Sequence, residues 1–380
     1  MRIPPNLFGI PFGTAGLAAT WRAADPLIGG AGRVAAVLDV LAAVLWLVLV
    51  GAYLSQGPRQ VLADLRHPVF APFTAVPAIT GMLLGAALAA RWPAGGQALV
   101  VVFLVLTTLL GGWMTGQWMA DALDADSVHP GYFLPTVAGG LVGGLAAAEV
   151  GLHAVAVASF GIGVLCWVML GSVVLNRLFL RPLLPPPLLP AMAIETAPPA
   201  VAGLAWFAIT GTRGDIVAYA LAGYAVLMVL VQLRFLPLYR RLAFTPGFWA
   251  FTFSYASVTT LATVWLAMRR PPGATAYAVV ILVLISGFIG AIAVRTVVAA
   301  GRRLRAGAAR RVWGRRVRAL AIPSHLHDRR DDDRAALGAL LEQGRGGRAH
   351  VLLEDHGVVD AVAGGAFQGV QHPRLGLLDQ

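Results

Sequence analysis

Long apolar runs recur along the chain from Phe8 to about Ala300, and charged residues are nearly confined to the gaps between them. Only 12% of all residues are charged, about half the share that a soluble domain carries. A helix needs roughly 20 apolar residues to cross the hydrocarbon core of a bilayer, and these runs reach that length. The chain is therefore predicted to be an all-α integral membrane protein.

The apolar runs and the turn residues between them predict ten membrane-spanning helices. The expected ranges are 5–24, 34–54, 72–90, 97–119, 131–150, 153–175, 188–210, 215–236, 246–268 and 275–300. Because the connections between consecutive spans are short, neighbouring spans are expected to form hairpins. An even number of spans puts both termini on the same side of the membrane.

Arginine residues set the expected orientation, and they supply all 29 basic side chains. The side that holds both termini carries more of them than the opposite side, with Arg66, Arg177 and Arg240 among them. The positive-inside rule therefore places both termini in the cytoplasm of a protein of the plasma membrane. Because the arginines lie at span ends and in the tail, no nucleic acid partner is expected despite the net charge of +11.

Prolines distinguish odd-numbered from even-numbered spans. Pro11, Pro77, Pro135 and Pro198 each follow an aromatic or aliphatic segment and precede small residues, whereas the predicted even spans lack interior proline. An interior proline removes a backbone hydrogen bond and kinks the helix, which suits a crowded or hydrated interior. The pattern predicts five hairpins around a central pore, with kinked odd helices inside and even helices outside. The alternative explanation is that proline is simply commoner in membrane helices.

Several short segments resemble those of one transporter family. The segment 6–13, Asn-Leu-Phe-Gly-Ile-Pro-Phe-Gly, is similar to the opening span of the bacterial tellurite-resistance/dicarboxylate transporters. That family includes the plant slow-type anion channels and the fungal malate permeases. Further similar segments, all on odd spans, are 67–69, 132–137, 197–201 and 248–253, and the resemblance covers about residues 4–300.

The resemblance implies a homotrimer with one ten-helix pore in each subunit, closed by a phenylalanine of the ninth helix. The matching position here is Phe253, whose ring would exclude water and ions from a narrow path. The alternative for Phe253 is packing in the protein core, as for most buried aromatic residues. The implied function is transmembrane transport of small anions through a gated, channel-like pore.

Candidate pore-lining residues lie on the odd spans. They are Pro11, Thr14, Thr74, Pro77, Pro135, Thr136, Glu195, Pro198, Phe251 and Thr252. Because the odd-span interiors hold almost no cation, helix N-termini beyond the prolines and hydroxyl groups would attract the anion. Such weak attraction favours passage over tight binding. Each hydroxyl group has the alternative of a hydrogen bond to its own helix.

Glu195 is the intramembrane charge that argues against an anion path. A carboxylate within a bilayer is costly and by default marks a functional site. Ionised, it would repel anions; protonated, it would suit a proton-coupled dicarboxylate carrier of the malate type, or a sulfite or tellurite carrier. The structural alternatives are an ion pair with Arg295 or a position at the membrane interface. Chloride, nitrate, sulfite, malate and tellurite all remain candidate substrates, because no cationic clamp selects among them.

The chain divides into a transport domain, residues 1–300, and an Arg-, Gly- and Ala-rich cytoplasmic tail, residues 301–380. The tail is expected to start as an amphipathic extension on anionic lipid, through Arg318, and then to be largely disordered.

Scattered polar residues within the spans disfavour an enzyme, since membrane-embedded enzymes need convergent His, Asp or Glu clusters. The single cysteine, Cys166, excludes a disulfide or a thiolate metal site within one chain. His325 and His327 in the tail form only a weak metal signal. No metal or cofactor is therefore expected, and the predicted partners are a small anion, membrane lipid and further copies of the chain.

Overall fold

A computed structural model describes residues 2–121, 124–212 and 214–320, with side chains placed as far as residue 302. All regular elements in these ranges are helices, which confirms the all-α part of the predicted fold class. The α-helices are α1 (Gly9–Ala24), α2 (Ala31–Leu54), α3 (Pro58–Leu65), α4 (Val76–Ala89), α5 (Pro93–Ala120), α6 (Gly139–Glu149), α7 (His153–Leu180), α8 (Ala197–Thr210), α9 (Ile216–Tyr239), α10 (Ala250–Arg269) and α11 (Ala274–Leu320).

Each odd-numbered span begins with a short non-α segment that runs directly into its α-helix. These segments are the 3-10 helices Pro5–Phe8, Ala71–Ala75, Pro130–Phe133, Leu189–Thr196 and Pro246–Trp249, with a π-helical turn Leu134–Ala138 after the third. Pro77 and Pro198 each occupy the second position of the following α-helix. Proline fits there because N–H groups of the first turn lack partners within the helix. The α-helix therefore begins in the first third of the first, third and ninth spans, and farther along the fifth and seventh.

Two further details differ from the sequence prediction. Helix α9 extends to Tyr239 and contains Pro237, so one even-numbered span does hold an interior proline. The short helix α3 lies between the second and third spans and was not predicted. It follows Gly57, whose φ of 87° is a conformation that only glycine adopts readily.

Nine helical segments of the described residues are long and apolar enough to cross a membrane, which confirms a multi-pass membrane protein. The first predicted span, residues 5–24, is not among them. Crossing of the membrane by residues 5–24 therefore stays a prediction.

Burial separates the two sets of spans. In the third, fifth, seventh and ninth spans, 50% to 83% of the apolar stretch is buried, compared with 11% to 28% in the even-numbered spans. Large apolar side chains of the even-numbered spans face outward, including Val37, Leu109 and Met169. Since such faces match a lipid environment, the odd spans form the interior of the bundle.

Consecutive helices pack in pairs: α1 with α2, α4 with α5, α6 with α7, and α8 with α9. Helix α10 contacts α11 through the Phe251 and Phe288 rings and through a hydrogen bond from Trp249 to Thr296. It also packs along α1, so the first and ninth spans are neighbours. The described residues as far as Gly307 form one compact unit. Residues 321–380, predicted to be disordered, lie outside the described residues.

Candidate functional site

The N-terminal ends of all five odd spans surround one narrow cavity of about 80 Å³. The first residues of four α-helices, Gly9, Val76, Ala197 and Ala250, line it, as does Ala138 directly before α6. The first four positions each follow a 3-10 segment, and Ala138 is the last residue of the π segment. The breaks in the helices therefore bring five helix starts to one place. Five helix starts, where the partial positive charge of a helix dipole lies, therefore line a single space.

The cavity wall is almost entirely apolar. Among the described residues that line it there is no charged side chain, and Asn6 and Ser254 supply the polar side-chain groups. The other lining residues are Gly9, Phe12, Val69, Phe70, Phe73, Val76, Phe133, Leu134, Val137, Ala138, Leu141, Pro187, Leu188, Ala191, Ile194, Ala197, Pro198, Val201, Pro246, Gly247, Trp249, Ala250 and Phe253. Such a wall can exclude water while leaving an anion no fixed charge to hold it.

Phe253 lies on this wall and stacks on Phe12. The two ring centroids are 3.7 Å apart with an angle of 15° between the planes, and both side chains are buried. Each ring lies one helical turn beyond the start of its helix, α10 or α1. The residues Phe12 and Phe253, called here the ring pair, therefore form a double aromatic layer at the cavity. Phe12 was not predicted, although it directly follows Pro11.

Small residues of α1 allow α10 to approach closely enough for this stacking. A Cβ atom added to Gly9 would lie 2.8 Å from the Trp249 Cβ, and one added to Gly16 would lie 3.0 Å from the Phe253 ring. At Gly13, an added Cβ would overlap the Thr252 side chain. The glycines thus fix the distance between the two helices that carry the ring pair.

Most of the predicted pore-lining hydroxyl groups bond to their own helix. The hydroxyl groups of Thr14, Thr74 and Thr252 donate to the carbonyl groups of Ile10, Ala71 and Trp249, respectively, at 2.6–2.8 Å. None of these three threonines lines the cavity, and neither does Thr136. The hydroxyl hydrogens of Thr14, Thr74 and Thr252 are used within the helix, so these groups are not free to donate to an anion.

The other predicted residues are divided between the cavity and the packing around it. Pro198 lines the cavity with Phe253, whereas Pro11, Pro77 and Pro135 do not. The Pro77 carbonyl accepts a hydrogen bond from Trp46 of the second span at 2.8 Å. Phe251 faces the opposite way from Phe253 and packs against Tyr239 and Phe288, with the Tyr239 ring centroid at 4.8 Å.

Glu195 is buried in the 3-10 segment Leu189–Thr196, and its Oε1 has no hydrogen-bond partner among the described residues. The cavity is lined by Ala191, Ile194 and Ala197, which are three residues apart and share one face of a three-residue turn. Glu195 is one position away from that face and does not line the cavity. Nor does it pair with Arg295, which is exposed, so that structural alternative is wrong.

Two buried polar residues at the cavity end of the bundle were not predicted from the sequence to be part of the site. Arg177, counted there only as an orientation signal, is 5% exposed and donates to the carbonyl groups of Pro182 at 2.7 Å and Asp126 at 3.3 Å. It thereby holds the connector whose Pro187 lines the cavity. His129 is completely buried, and its Nδ1 accepts a hydrogen bond from the Gly131 N–H at 3.1 Å.

Acid should destabilise the fold through His129. Burial lowers the pKa of His129 to about 4; a backbone hydrogen bond of Val69 opposes the shift, and the charge of Arg177 adds to it. The unfolded chain therefore takes up this proton first, and stability is lost as pH falls from about 6.5 to about 4. The loss is on the order of 3 kcal/mol.

We expect His129→Asn, which keeps a side-chain acceptor for the Gly131 N–H, to reduce this acid sensitivity. The measurement is the melting temperature of the detergent-solubilised protein at pH values between 7 and 4, for wild type and variant. An equal fall in both proteins would show that His129 does not carry the effect.

Comparisons with known proteins agree on one family. A family model described as a voltage-dependent anion channel, SLAC1, matches residues 2–297. The chain is 30% identical to the tellurite resistance protein TehA homolog of Haemophilus influenzae over 69% of this chain and 80% of that protein. It is 26% identical to the S-type anion channel SLAH2 of Arabidopsis thaliana over 68% of this chain and 52% of that protein. The S-type anion channel SLAH3 is 30% identical over 36% of this chain and 22% of that protein.

Proposed function

The chain belongs to the voltage-dependent anion channel (SLAC1) family, and from this premise we propose that it conducts small anions through a gated pore in the bundle interior. The observation that carries the proposal is the convergence of five helix starts on one cavity without charged side chains. The partial positive charge at each helix start attracts an anion. With no opposite charge to trap it, the anion can leave again, as conduction requires.

The ring pair is the proposed gate. Two stacked aromatic rings in a narrow apolar wall exclude water, so the closed state presents a dehydration barrier to an ion. Rotation of the Phe253 ring, or a shift of α10 along α1, would remove that barrier. Core packing, the alternative for Phe253, differs from a gate in one property: truncation of a core residue does not change the conductance.

The proposed architecture has ten spans in five hairpins, with the odd helices around the pore. The helix pairs and the higher burial of the odd spans support this arrangement. Residues 5–24 are included because α1 packs against both α2 and α10 and carries half of the ring pair. We further propose a homotrimer in the plasma membrane with cytoplasmic termini. In that orientation the cavity lies at the cytoplasmic end of the pore.

Anion flux into proteoliposomes tests the function directly. Purified protein, as wild type and as Phe253→Ala, is reconstituted and assayed with chloride, nitrate, sulfite, malate and tellurite. We expect flux of at least the small inorganic anions, which rises in the variant. Flux no higher than in protein-free liposomes, for every anion and both proteins, would reject anion conduction.

A proton-coupled carrier for a dicarboxylate, sulfite or tellurite is the second candidate, and the buried, unpartnered carboxyl group of Glu195 favours it. Such a group can bind and release a proton during a transport cycle. Its position away from the cavity, however, gives it no contact with a passing anion.

Glu195→Gln separates the two candidates. For a channel, we expect flux at fixed voltage to follow the anion gradient alone and the variant to retain it, because glutamine replaces only an unpartnered carboxyl oxygen. For a carrier, a proton gradient should drive flux in the wild type and the variant should lose that response. The measurement is malate and chloride flux with the voltage clamped by potassium and valinomycin and the pH gradient varied.

A further inference from the structure

Gln232 forms a buried polar hub beside the gate helix. It lies on the outer helix α9, yet its side chain is only 7% exposed and points into the bundle. Its Nε2 donates to the Met192 carbonyl at 3.1 Å, and its Oε1 accepts from the hydroxyl groups of Tyr239 at 2.9 Å and Tyr255 at 3.1 Å. Three hydrogen bonds therefore meet at one amide group of a mostly apolar helix.

The orientation of this amide is determined by its partners. The Met192 carbonyl can only accept a hydrogen bond, so it must face the Nε2, and the oxygen is left for the two tyrosine hydroxyl groups. Gln232 is 7% exposed and Tyr239 9%, so water reaches these polar groups poorly. Leaving one of these groups unpaired is therefore costly, and the hub fixes its neighbours in one arrangement.

Two of those neighbours, Met192 and Tyr255, lie on elements that line the cavity with other residues. Met192 lies in the 3-10 segment Leu189–Thr196, between the cavity-lining residues Ala191 and Ile194. Tyr255 lies on α10, two residues after Phe253 and on the other side of the helix. The hub thus connects the starting segment of the seventh span to the helix that carries the gate.

We propose that Gln232 is a positioning residue that holds α10, and through it Phe253, in the closed position by its hydrogen bond with Tyr255. This inference rests on the proposed gate. If α10 shifts or rotates to open the pore, the Tyr255 hydroxyl moves away from the Gln232 Oε1, which it contacts in the closed state. The bond therefore contributes to the preference for the closed state.

A pair of matched tyrosine variants tests the proposal. Tyr255→Phe removes the bond from the gate helix and keeps the ring, which packs against Phe251 and Phe288. Tyr239→Phe removes a bond to the same oxygen, but this bond stays within α9, since both residues lie on that helix. We expect basal anion flux to rise about threefold in Tyr255→Phe, the size of one interhelical hydrogen bond in a membrane protein, and not to change in Tyr239→Phe.

The same two substitutions are made in the Phe253→Ala background, where the closed state no longer has its gate. There we expect Tyr255→Phe to have no effect on flux, because the hub acts through Phe253. Three outcomes would overturn the proposed role of Gln232. They are unchanged or reduced flux in Tyr255→Phe, an equal rise of flux in Tyr239→Phe, and a full additional rise when Tyr255→Phe is made in the Phe253→Ala background. If Phe253→Ala itself leaves flux unchanged, the gate is wrong, and that failure is distinct from failure of the hub. Melting temperatures of all six proteins, the wild type, the three single variants and the two double variants, show whether any flux change merely follows lost stability.

Discussion

Phe253→Ala should raise anion conductance on the order of tenfold or more. The substitution removes one layer of the ring pair, which opens the apolar wall to water and lowers the dehydration barrier for an ion. The measurement is macroscopic anion current in planar bilayers at equal amounts of reconstituted protein. A core phenylalanine would behave differently, because its truncation would lower stability without creating a conducting path.

Phe251→Ala is the matched control for this prediction. Phe251 lies on the same helix, is also buried, and packs against Tyr239 and Phe288 away from the cavity. We expect its truncation to lower the melting temperature and to change the conductance far less than Phe253→Ala does, because Phe251 contacts the hub tyrosines but not the cavity. Phe12→Ala, which removes the other ring, should also increase the conductance, as Phe253→Ala does. Equal currents from Phe251→Ala and Phe253→Ala would contradict the assignment of the gate.

Gly13→Ala should have the second large effect, because the added methyl group has no space. Its Cβ would lie 2.5 Å from the Thr252 Cβ and still closer to the hydroxyl oxygen, so α1 and α10 must separate. Overpacking of this kind costs about 1–3 kcal/mol. We expect a lower melting temperature and, since the ring pair spans the same two helices, an altered basal conductance.

Gly112→Ala provides the comparison for Gly13→Ala. Gly112 is also helical, but a Cβ added there meets no other atom within 4 Å. Alanine is favoured over glycine within a helix, so this variant should be as stable as wild type or slightly more so. Thr252→Gly should relieve the clash in the Gly13→Ala protein and restore part of the lost stability. If Gly13→Ala melts at the wild-type temperature, the close contact of α1 with α10 is not present in the protein.

The membrane fold follows from the sequence because span length and apolar composition are properties that a bilayer selects directly. The inner and outer sets of spans were also predicted, since the proline segments occur on the odd helices. The position of the backbone breaks within the odd spans was not predicted. A proline in an apolar run fits equally well in a mid-helix kink or in the first turn after a 3-10 segment. Helix α9, with Pro237, shows that the pattern is a tendency of the odd spans and not a rule for all ten.

The candidate site was predicted less completely, because side-chain direction depends on the local helix type. A 3-10 turn of three residues places Ile194 on the cavity and turns Glu195 away from it, which an α-helical reading does not reveal. A threonine hydroxyl group can donate a hydrogen bond either to an anion or to a carbonyl group of its own helix. Here Thr14, Thr74 and Thr252 donate to the helix. Gln232 was missed because one amide in an apolar even span gives no sign of three partners on other turns and helices.

The most direct test of the anion pathway is the reversal potential of Phe253→Ala currents in a planar bilayer with unequal potassium chloride concentrations on its two sides. Because the cavity combines five helix starts with an uncharged wall, we expect current to reverse near the chloride equilibrium potential. Changing the pH on one side should not move that value. Reversal near the potassium equilibrium potential, or at zero voltage, would contradict an anion-selective pore.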